Sequence, residues 1–340
     1  MRLVIFAMLP LIAGAANYSA EETTVYGVHV VRLTDAANRA EVIVAPSMGN
    51  NIYSMTVNGA ELIYAAPPAP AGLNESFSGI PFLEPWANRL DGDSFWANGK
   101  EYVLNPKLNN VPRDGNRQPM HGLLAHTTEW KVAALHAGGG GAEVTSRLEF
   151  WRHPDWMAQF PFAHTISITC RLRDGALQVE TTLENLSDEP MPVSVGFHPY
   201  FQIPGVPRDR WQVHIAARQR LKLSKTTIPT GEEEPVAFPD PLPLAGVQLD
   251  DVFGSLIRDA QGDAVFSVAA GDKKITVVYG PKYQNAVIYA PPGREYICFE
   301  PMSGPTNAFN LAHAGLYKDL QTIAPRGEWR ESFHIQPSGF

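Results

Sequence analysis

A strand-like run near the middle of the chain ends in Gly196-Phe197-His198-Pro199-Tyr200-Phe201. It sets one histidine at a strand end, among aromatics, just before a proline that breaks the pattern. Histidine has the side-chain pKa closest to neutrality, so His198 is a default proton donor or acceptor. The aromatic neighbours offer flat apolar faces of the kind on which a sugar ring stacks. Taken alone, such a histidine reads first as a structural one, hydrogen-bonded into a strand end. A carboxylate in similar surroundings alters the balance. The apolar strand Tyr296-Ile297-Cys298-Phe299 ends in Glu300-Pro301. Desolvation there raises a carboxyl pKa and makes a better base.

Three further spots carry polar groups in strand-end or loop contexts. Pro85-Trp86-Ala87-Asn88-Arg89-Leu90 supplies amide and guanidinium donors suited to hydroxyls or a ring oxygen. Met120-His121-Gly122-Leu123-Leu124 sets His121 beside a glycine that lets backbone or ligand come close. In Leu249-Asp250-Asp251-Val252-Phe253 the adjacent carboxylates alternate faces if the segment is extended, one toward a ligand and one toward solvent. Each spot has a plain structural alternative: a surface arginine beside a turn, a strand-edge acidic pair, a glutamate facing solvent. His121, His126 and Glu129 do not have a usual metal-ligand spacing, and no metal is expected.

The elements that must position these groups read as strands. Short β-branched and aromatic runs recur, including Thr24 to Leu33 and Ala40 to Ala45. Asn58-Gly59, Asn98-Gly99 and Asp174-Gly175 each separate two such runs, the strongest short hairpin signal. The glycine run 138–141 lacks the Lys-Ser/Thr and helix of a phosphate loop and reads as a hairpin tip. Pro229 to Pro243, with Glu232-Glu233-Glu234, reads as an exposed loop because its charges repel. No segment of a dozen residues beyond the N-terminus has a helical period. The expectation is an all-β chain, a large antiparallel β-sandwich forming a single domain over residues 21–340.

Composition sets the limits. The chain has 340 residues, 44% hydrophobic and 18% charged, which suits a globular protein with a full core. A formal net charge of -8 without a Lys/Arg cluster argues against a nucleic-acid partner. Residues 1–20 read as an export signal: a positive start at Met1-Arg2, an apolar run from Leu3 to Ile12, and the small-residue pattern Ala13-Gly14-Ala15. That run is too short to span a membrane, so an exported protein, periplasmic or extracellular and soluble after cleavage, is expected. Cys170 and Cys298 are far apart in strand-like contexts and make no zinc motif; they could pair or stay as buried thiols.

In this order and spacing, the five polar spots resemble the aldose 1-epimerase (galactose mutarotase) family over roughly Glu41 to Ile335. Trp86 to Leu90, followed by Asn98-Gly99-Lys100-Glu101-Tyr102, resembles its Asn-Arg motif and hairpin. Met120-His121-Gly122 and Gly196 to Phe201 resemble its two histidine motifs, and Phe160-Pro161-Phe162 the entry to its central hairpin. Asp250 to Phe253 resembles its Asp-x-x-Phe element, and Glu300 with Asn307 to Asn310 its C-terminal glutamate motif. There are departures. Gly122 is followed by Leu123-Leu124 rather than a second glycine. Pro199 and Pro301 look more like the divergent branch that includes hexose-6-phosphate 1-epimerases.

The resemblance implies a galactose mutarotase-like supersandwich that interconverts the anomers of a free hexose. It implies Glu300 as base and His198 as acid, with His121 near the ring oxygen. It implies Asp250 accepting from sugar hydroxyls, and Arg89 and Asn88 orienting them. Such proton transfers need no cofactor or metal, and a protonated acid beside an ionised base implies a bell-shaped pH profile. The partner is then a small-molecule sugar, and the protein a monomer or homodimer. Three alternatives stay open. A hexose-6-phosphate 1-epimerase would need phosphate-binding cations, with Arg113, Arg117 and Lys282 as candidates. A non-catalytic carbohydrate-binding protein could use the same scaffold. A polysaccharide-acting enzyme would usually carry a helical domain, and none is visible.

Overall fold

The computed structural model describes residues 17–65 and 77–340. Most of the expected export signal lies outside those residues. Its last part does not: Tyr18–Val25 is a strand paired antiparallel to Val28–Asp35.

The architecture is an all-β sandwich of antiparallel sheets. A nine-stranded sheet runs, in spatial order, from Leu242–Pro243 through Gln212–His214, Ala264–Ala270, Lys273–Tyr279, Glu328–Ser338, Ala176–Asn185, His164–Arg173 and Gly141–Glu149 to Lys131–Gly138. A second sheet runs from Pro229–Pro235 through Ala217–Leu223, Leu249–Leu256, Asn285–Ala290 and Ile297–Met302 to Gly196–Phe197 and Phe82–Leu83. Tyr200–Phe201 also pairs with Ile297–Met302. The two sheets meet through aromatic rings. Phe197 of the second sheet lies 4.9 Å from Phe333 of the first, and Phe299 lies 6.3 Å from Phe266. One core cluster runs from Val31 to Ile335 and draws on both sheets.

The turn chemistry explains the hairpins. Asn58-Gly59, Asn98-Gly99 and Asp174-Gly175 all have positive φ at both positions, as tight hairpin turns of matching twist require. Two segments depart from the sequence expectation. Thr24 to Leu33 is not one strand, because Tyr26 and Gly27 both take positive φ and fold it into a hairpin. The glutamate-rich run is not a loop. Pro229–Pro235 is the edge strand of the second sheet, with Glu232 and Glu234 held by Lys222 and Arg220 of its neighbour. Edge strands tolerate proline and exposed charge, which blunts edge-to-edge association. Cys170 and Cys298 are both buried and unpaired. Among the described residues no helix is long and apolar enough to cross a membrane, and no cluster of three potential metal ligands occurs.

Candidate active site

His198 and Glu300 are brought together by strand register. Gly196 pairs with Met302, and Tyr200 pairs with Cys298. The residue midway between on each chain is His198 and Glu300, so the two stand opposite each other. Pro199 has no N–H to give the ladder, and the His198 N–H donates instead to the Pro81 carbonyl at 3.1 Å. The local pairing is thereby interrupted and the two side chains face each other, His198 Nε2 lying 3.1 Å from Glu300 Oε1. Both are buried, at 6% and 1% exposure. Gly196 permits the close approach, because a Cβ there would lie 2.3 Å from Met302 Sδ.

Asp250 joins them through the same sheet. Residues directly opposite in an antiparallel pair project on one face. Asp250 is opposite Tyr289, which is opposite Cys298, and Glu300 is two residues along that last strand. The four therefore share a face. Asp251 points the other way, as alternation demands. It does not meet only solvent, because its Oδ1 accepts from Arg220 Nη1 at 3.2 Å.

The other three residues sit on two loop segments tied together. The His121 N–H donates to the Asn88 carbonyl at 2.7 Å, and Arg89 and Met120 form an antiparallel bridge. Asn88 and His121 both take positive φ, and Gly122 follows with φ +67. A Cβ on Gly122 would lie 2.1 Å from the Glu84 carbonyl oxygen, so the glycine beside His121 is a steric requirement. Asn307, after the glutamate strand, pins the Arg89 segment: its N–H donates to the Arg89 carbonyl and its Oδ1 accepts from the Asp91 N–H.

A cavity of about 230 Å³ is lined by Asn88, Arg89, His121, His198, Asp250 and Glu300, together with Phe77, Met120, Tyr200 and Tyr289. All six polar residues singled out in the sequence therefore meet at one place. The aromatics make an ordered wall. Tyr200 stacks on His198 at 4.6 Å, and Phe77 stacks on His121 at 4.8 Å. Tyr289 and Phe77 were missed as wall residues. Tyr289 could have been found from its place at the end of a strand just before Pro291-Pro292. Asp114, which accepts from Arg89 Nε at 2.7 Å, carries no sequence signal. The three candidate phosphate cations stand elsewhere. Arg113, Arg117 and Lys282 are absent from the cavity lining, and Arg113 is held by Asp93 at 2.6 Å. Arg89 is the cation that lines it.

Burial governs the electrostatics. It pushes the Glu300 carboxyl well above its ordinary pKa, Asp250 pushes the same way, and Arg89 pulls back. It pushes His198 down to about 3, with Arg89 adding to the fall. His121 is likewise held well below the usual imidazole range by burial, then by His198 and Arg89. Burial thus disfavours both the protonated imidazole and the ionised carboxyl, while their 3.1 Å contact favours the two charges together. A charged acid and base at this site must therefore offset the cost of burial through their mutual contact. The pair still holds one proton, which either partner can carry.

Comparison with known proteins adds the following. The Aldose 1-epimerase family matches residues 30–336. A protein of Escherichia coli K12, YihR, is 25% identical over 275 residues, covering 78% of this chain and 81% of its own length. A galactose mutarotase-like protein from Clostridium acetobutylicum superposes with a TM-score of 0.84 at 20% identity, covering 95% of this chain and 99% of its own. A galactose 1-epimerase from Lactobacillus acidophilus superposes with a TM-score of 0.70 at 14% identity, covering 95% and 100%.

Proposed function

The chain belongs to the aldose 1-epimerase family and is an isomerase acting on carbohydrates, and from that premise we propose that it interconverts the α and β anomers of a free hexose by acid–base ring opening and closure. The observation that carries this reading is the 3.1 Å pair of His198 and Glu300, buried in a cavity with aromatic walls. A hemiacetal carries its hydroxyl oxygen and its ring oxygen on the same carbon, C1. The group that takes the hydroxyl proton and the group that protonates the ring oxygen must therefore be neighbours.

The pair enters the reaction with its one proton on His198 and Glu300 ionised, a state reached by proton transfer along their contact. Glu300 takes the proton of the C1 hydroxyl, and the freed electron pair forms the C1 carbonyl. The bond from C1 to the ring oxygen breaks, and its electron pair receives the proton of His198. Rotation about C1–C2 exposes the other carbonyl face. The same transfers in reverse close the ring, and the pair again holds one proton. Arg89 donates to sugar oxygens and favours the ionised carboxylate, Asp250 accepts from hydroxyls, and Asn88 helps orient them. His121, uncharged, stands beside His198 with ring centroids 5.4 Å apart and would assist near the ring oxygen.

A free sugar is favoured over a phosphosugar because one cation lines the cavity and the three further candidates do not. Export of the mature protein, to the periplasm or beyond the cell, is part of the same proposal and rests on residues 1–20 alone. Polarimetry of freshly dissolved α-glucose and α-galactose tests the activity, with glucose 6-phosphate for comparison. Acceleration of the free sugars is expected. No acceleration of any aldose at micromolar protein would overturn the reading, and N-terminal sequencing of secreted protein tests the export.

A further inference from the structure

Asp114 lies outside the cavity lining, yet it is built to act on it. It sits in a tight loop closed by its own backbone, its N–H donating to the Gln118 carbonyl at 3.0 Å and its carbonyl accepting from the Arg117 N–H at 2.9 Å. One carboxylate oxygen, Oδ1, accepts from the N–H groups of Asn116 and Gln118, both at 2.9 Å. The other, Oδ2, accepts from Arg89 Nε at 2.7 Å. The side chain is 7% exposed. Burial opposes ionisation, but the hydrogen bond from Arg89 and those from the loop backbone prevail and hold the carboxyl below its ordinary pKa. It is a rigid anion, fixed from one side by its loop and aimed from the other at the Arg89 stem.

The contact to Arg89 uses the one N–H of the guanidinium that points back along the side chain. Arg89 Nη1 donates to Asn88 Oδ1 at 2.8 Å. Two of the guanidinium nitrogens are thereby anchored, which fixes its plane and turns the rest toward the cavity. Its charge then acts on the reacting pair across the cavity they share, lowering the proton affinity of both, and the low dielectric strengthens that interaction. An Arg89 without Asp114 would be freer to turn, and its full charge would fall on the cavity.

We infer that Asp114 is a positioning residue for the epimerisation: it fixes the plane of the Arg89 guanidinium and moderates its charge, so that the His198–Glu300 pair keeps its one proton. The inference rests on the acid–base reading of that pair. The titratable groups around the pair are Arg89 and His121 from the two loops, Asp250 and Tyr289 from their strands, Tyr200 beside His198, and Cys298 and Tyr279 near Glu300. Asp114 is the counter-charge to Arg89 alone.

The sign follows. Asp114→Asn can keep an oxygen for Arg89 only by turning its NH2 against the N–H groups of Asn116 and Gln118, and it removes the negative charge. The stronger field of Arg89 lowers the proton affinity of both His198 and Glu300, so both limbs of the pH profile move to lower pH. Asp114→Ala removes anchor and charge together. The experiment measures mutarotation against pH for Asp114→Asn, Asp114→Ala, Arg89→Ala and the double variant Arg89→Ala/Asp114→Asn. The expected loss in kcat/KM for Asp114→Asn is about tenfold, the scale of one charge-assisted hydrogen bond. Its limbs should shift by roughly half a pH unit or more, a change that a merely structural role would not produce. In the Arg89→Ala background the same substitution should cost less than about twofold, since a residue acting through another has nothing left to act on.

A full-sized loss in the Arg89→Ala background, or unchanged limbs in folded Asp114→Asn and Asp114→Ala, would overturn the inference. Imidazole titration by NMR, with His198 assigned by His198→Asn, gives a readout that needs no turnover. If the wild-type protein accelerates no aldose, the acid–base reading fails, while an unmoved His198 resonance in Asp114→Asn overturns the role of Asp114 separately.

Discussion

Replacing Glu300 by glutamine removes one capacity, accepting a proton, and changes little else. The side chain is 1% exposed, and its Oε1 lies 3.1 Å from His198 Nε2. Glutamine has the same length and can place an amide N–H against that imidazole nitrogen, so the contact survives. Two effects on stability oppose each other. With the NH2 turned to His198, its second N–H finds no partner and the amide oxygen takes the place of the partnerless Oε2, and an unmet buried group is worth roughly 1–3 kcal/mol against folding. The substitution also removes a group that burial had already forced toward neutrality, which relieves part of the desolvation. The net change should stay within about 1 kcal/mol, or roughly 1–2 °C in Tm for a chain of this length. The rate responds differently. A positioned general base contributes about 10²–10⁴-fold, which is roughly 2.7–5.5 kcal/mol of barrier. Polarimetry at saturating aldose should therefore show kcat lower by two to four orders of magnitude with KM little changed. A folded Glu300→Gln protein with kcat within about threefold of wild type would refute the assignment of the base.

The remaining expectations follow from the same geometry. Burial moves the two proton affinities apart, His198 down to about 3 and Glu300 up, so the one-proton state of the pair spans a wide range. The kcat/KM profile should be a broad plateau, with its acid limb below the ordinary imidazole pKa and its alkaline limb above the ordinary carboxyl pKa; a narrow bell centred near pH 6 would contradict this. Asp250→Asn removes a neighbouring negative charge that raises Glu300, so the alkaline limb should move to lower pH while KM rises; an unmoved limb would separate Asp250 from the pair electrostatically. Gly196→Ala places a methyl 2.3 Å from Met302 Sδ and 2.7 Å from the Pro301 carbonyl, so it should destabilise by roughly 1–3 kcal/mol, read as a lower Tm, and should slow the reaction by spreading His198 from Glu300. A stable, fully active Gly196→Ala protein would show that the strands can part without harm.

Much of the scaffold was legible because its signals are local. The dipeptides Asn58-Gly59, Asn98-Gly99 and Asp174-Gly175 fix hairpins by turn geometry alone. Local signals also misled. A β-branched run hid the Tyr26-Gly27 turn, and a run of glutamates looked like a loop because its neighbours Lys222 and Arg220 are distant in sequence. Among the site residues, His198, Glu300, Asn88, Arg89, His121 and Asp250 were candidates by residue type at strand ends and loops, each with a plain structural alternative, and only their joint order, which resembles the aldose 1-epimerase motifs, set them apart. Asp114 was not, because a carboxylate in a polar loop gives no sign of the arginine it meets 25 residues away.

The sequence by itself determined the all-β class, the turns, and the chemical types present: one histidine before a proline, one glutamate ending an apolar strand, an Asn-Arg pair, a His-Gly pair and two aspartates. These are decided by backbone preference and side-chain chemistry, which need no neighbours. Only the tertiary structure decided that His198 stands opposite Glu300, that Asp250 and not Asp251 faces them, and that burial presses both members of the pair toward neutrality. Register sets the first two, because a shift of one residue would turn every side chain to the other face. Burial sets the third, because removing water raises the energy of each charge by an amount no residue carries in its own identity.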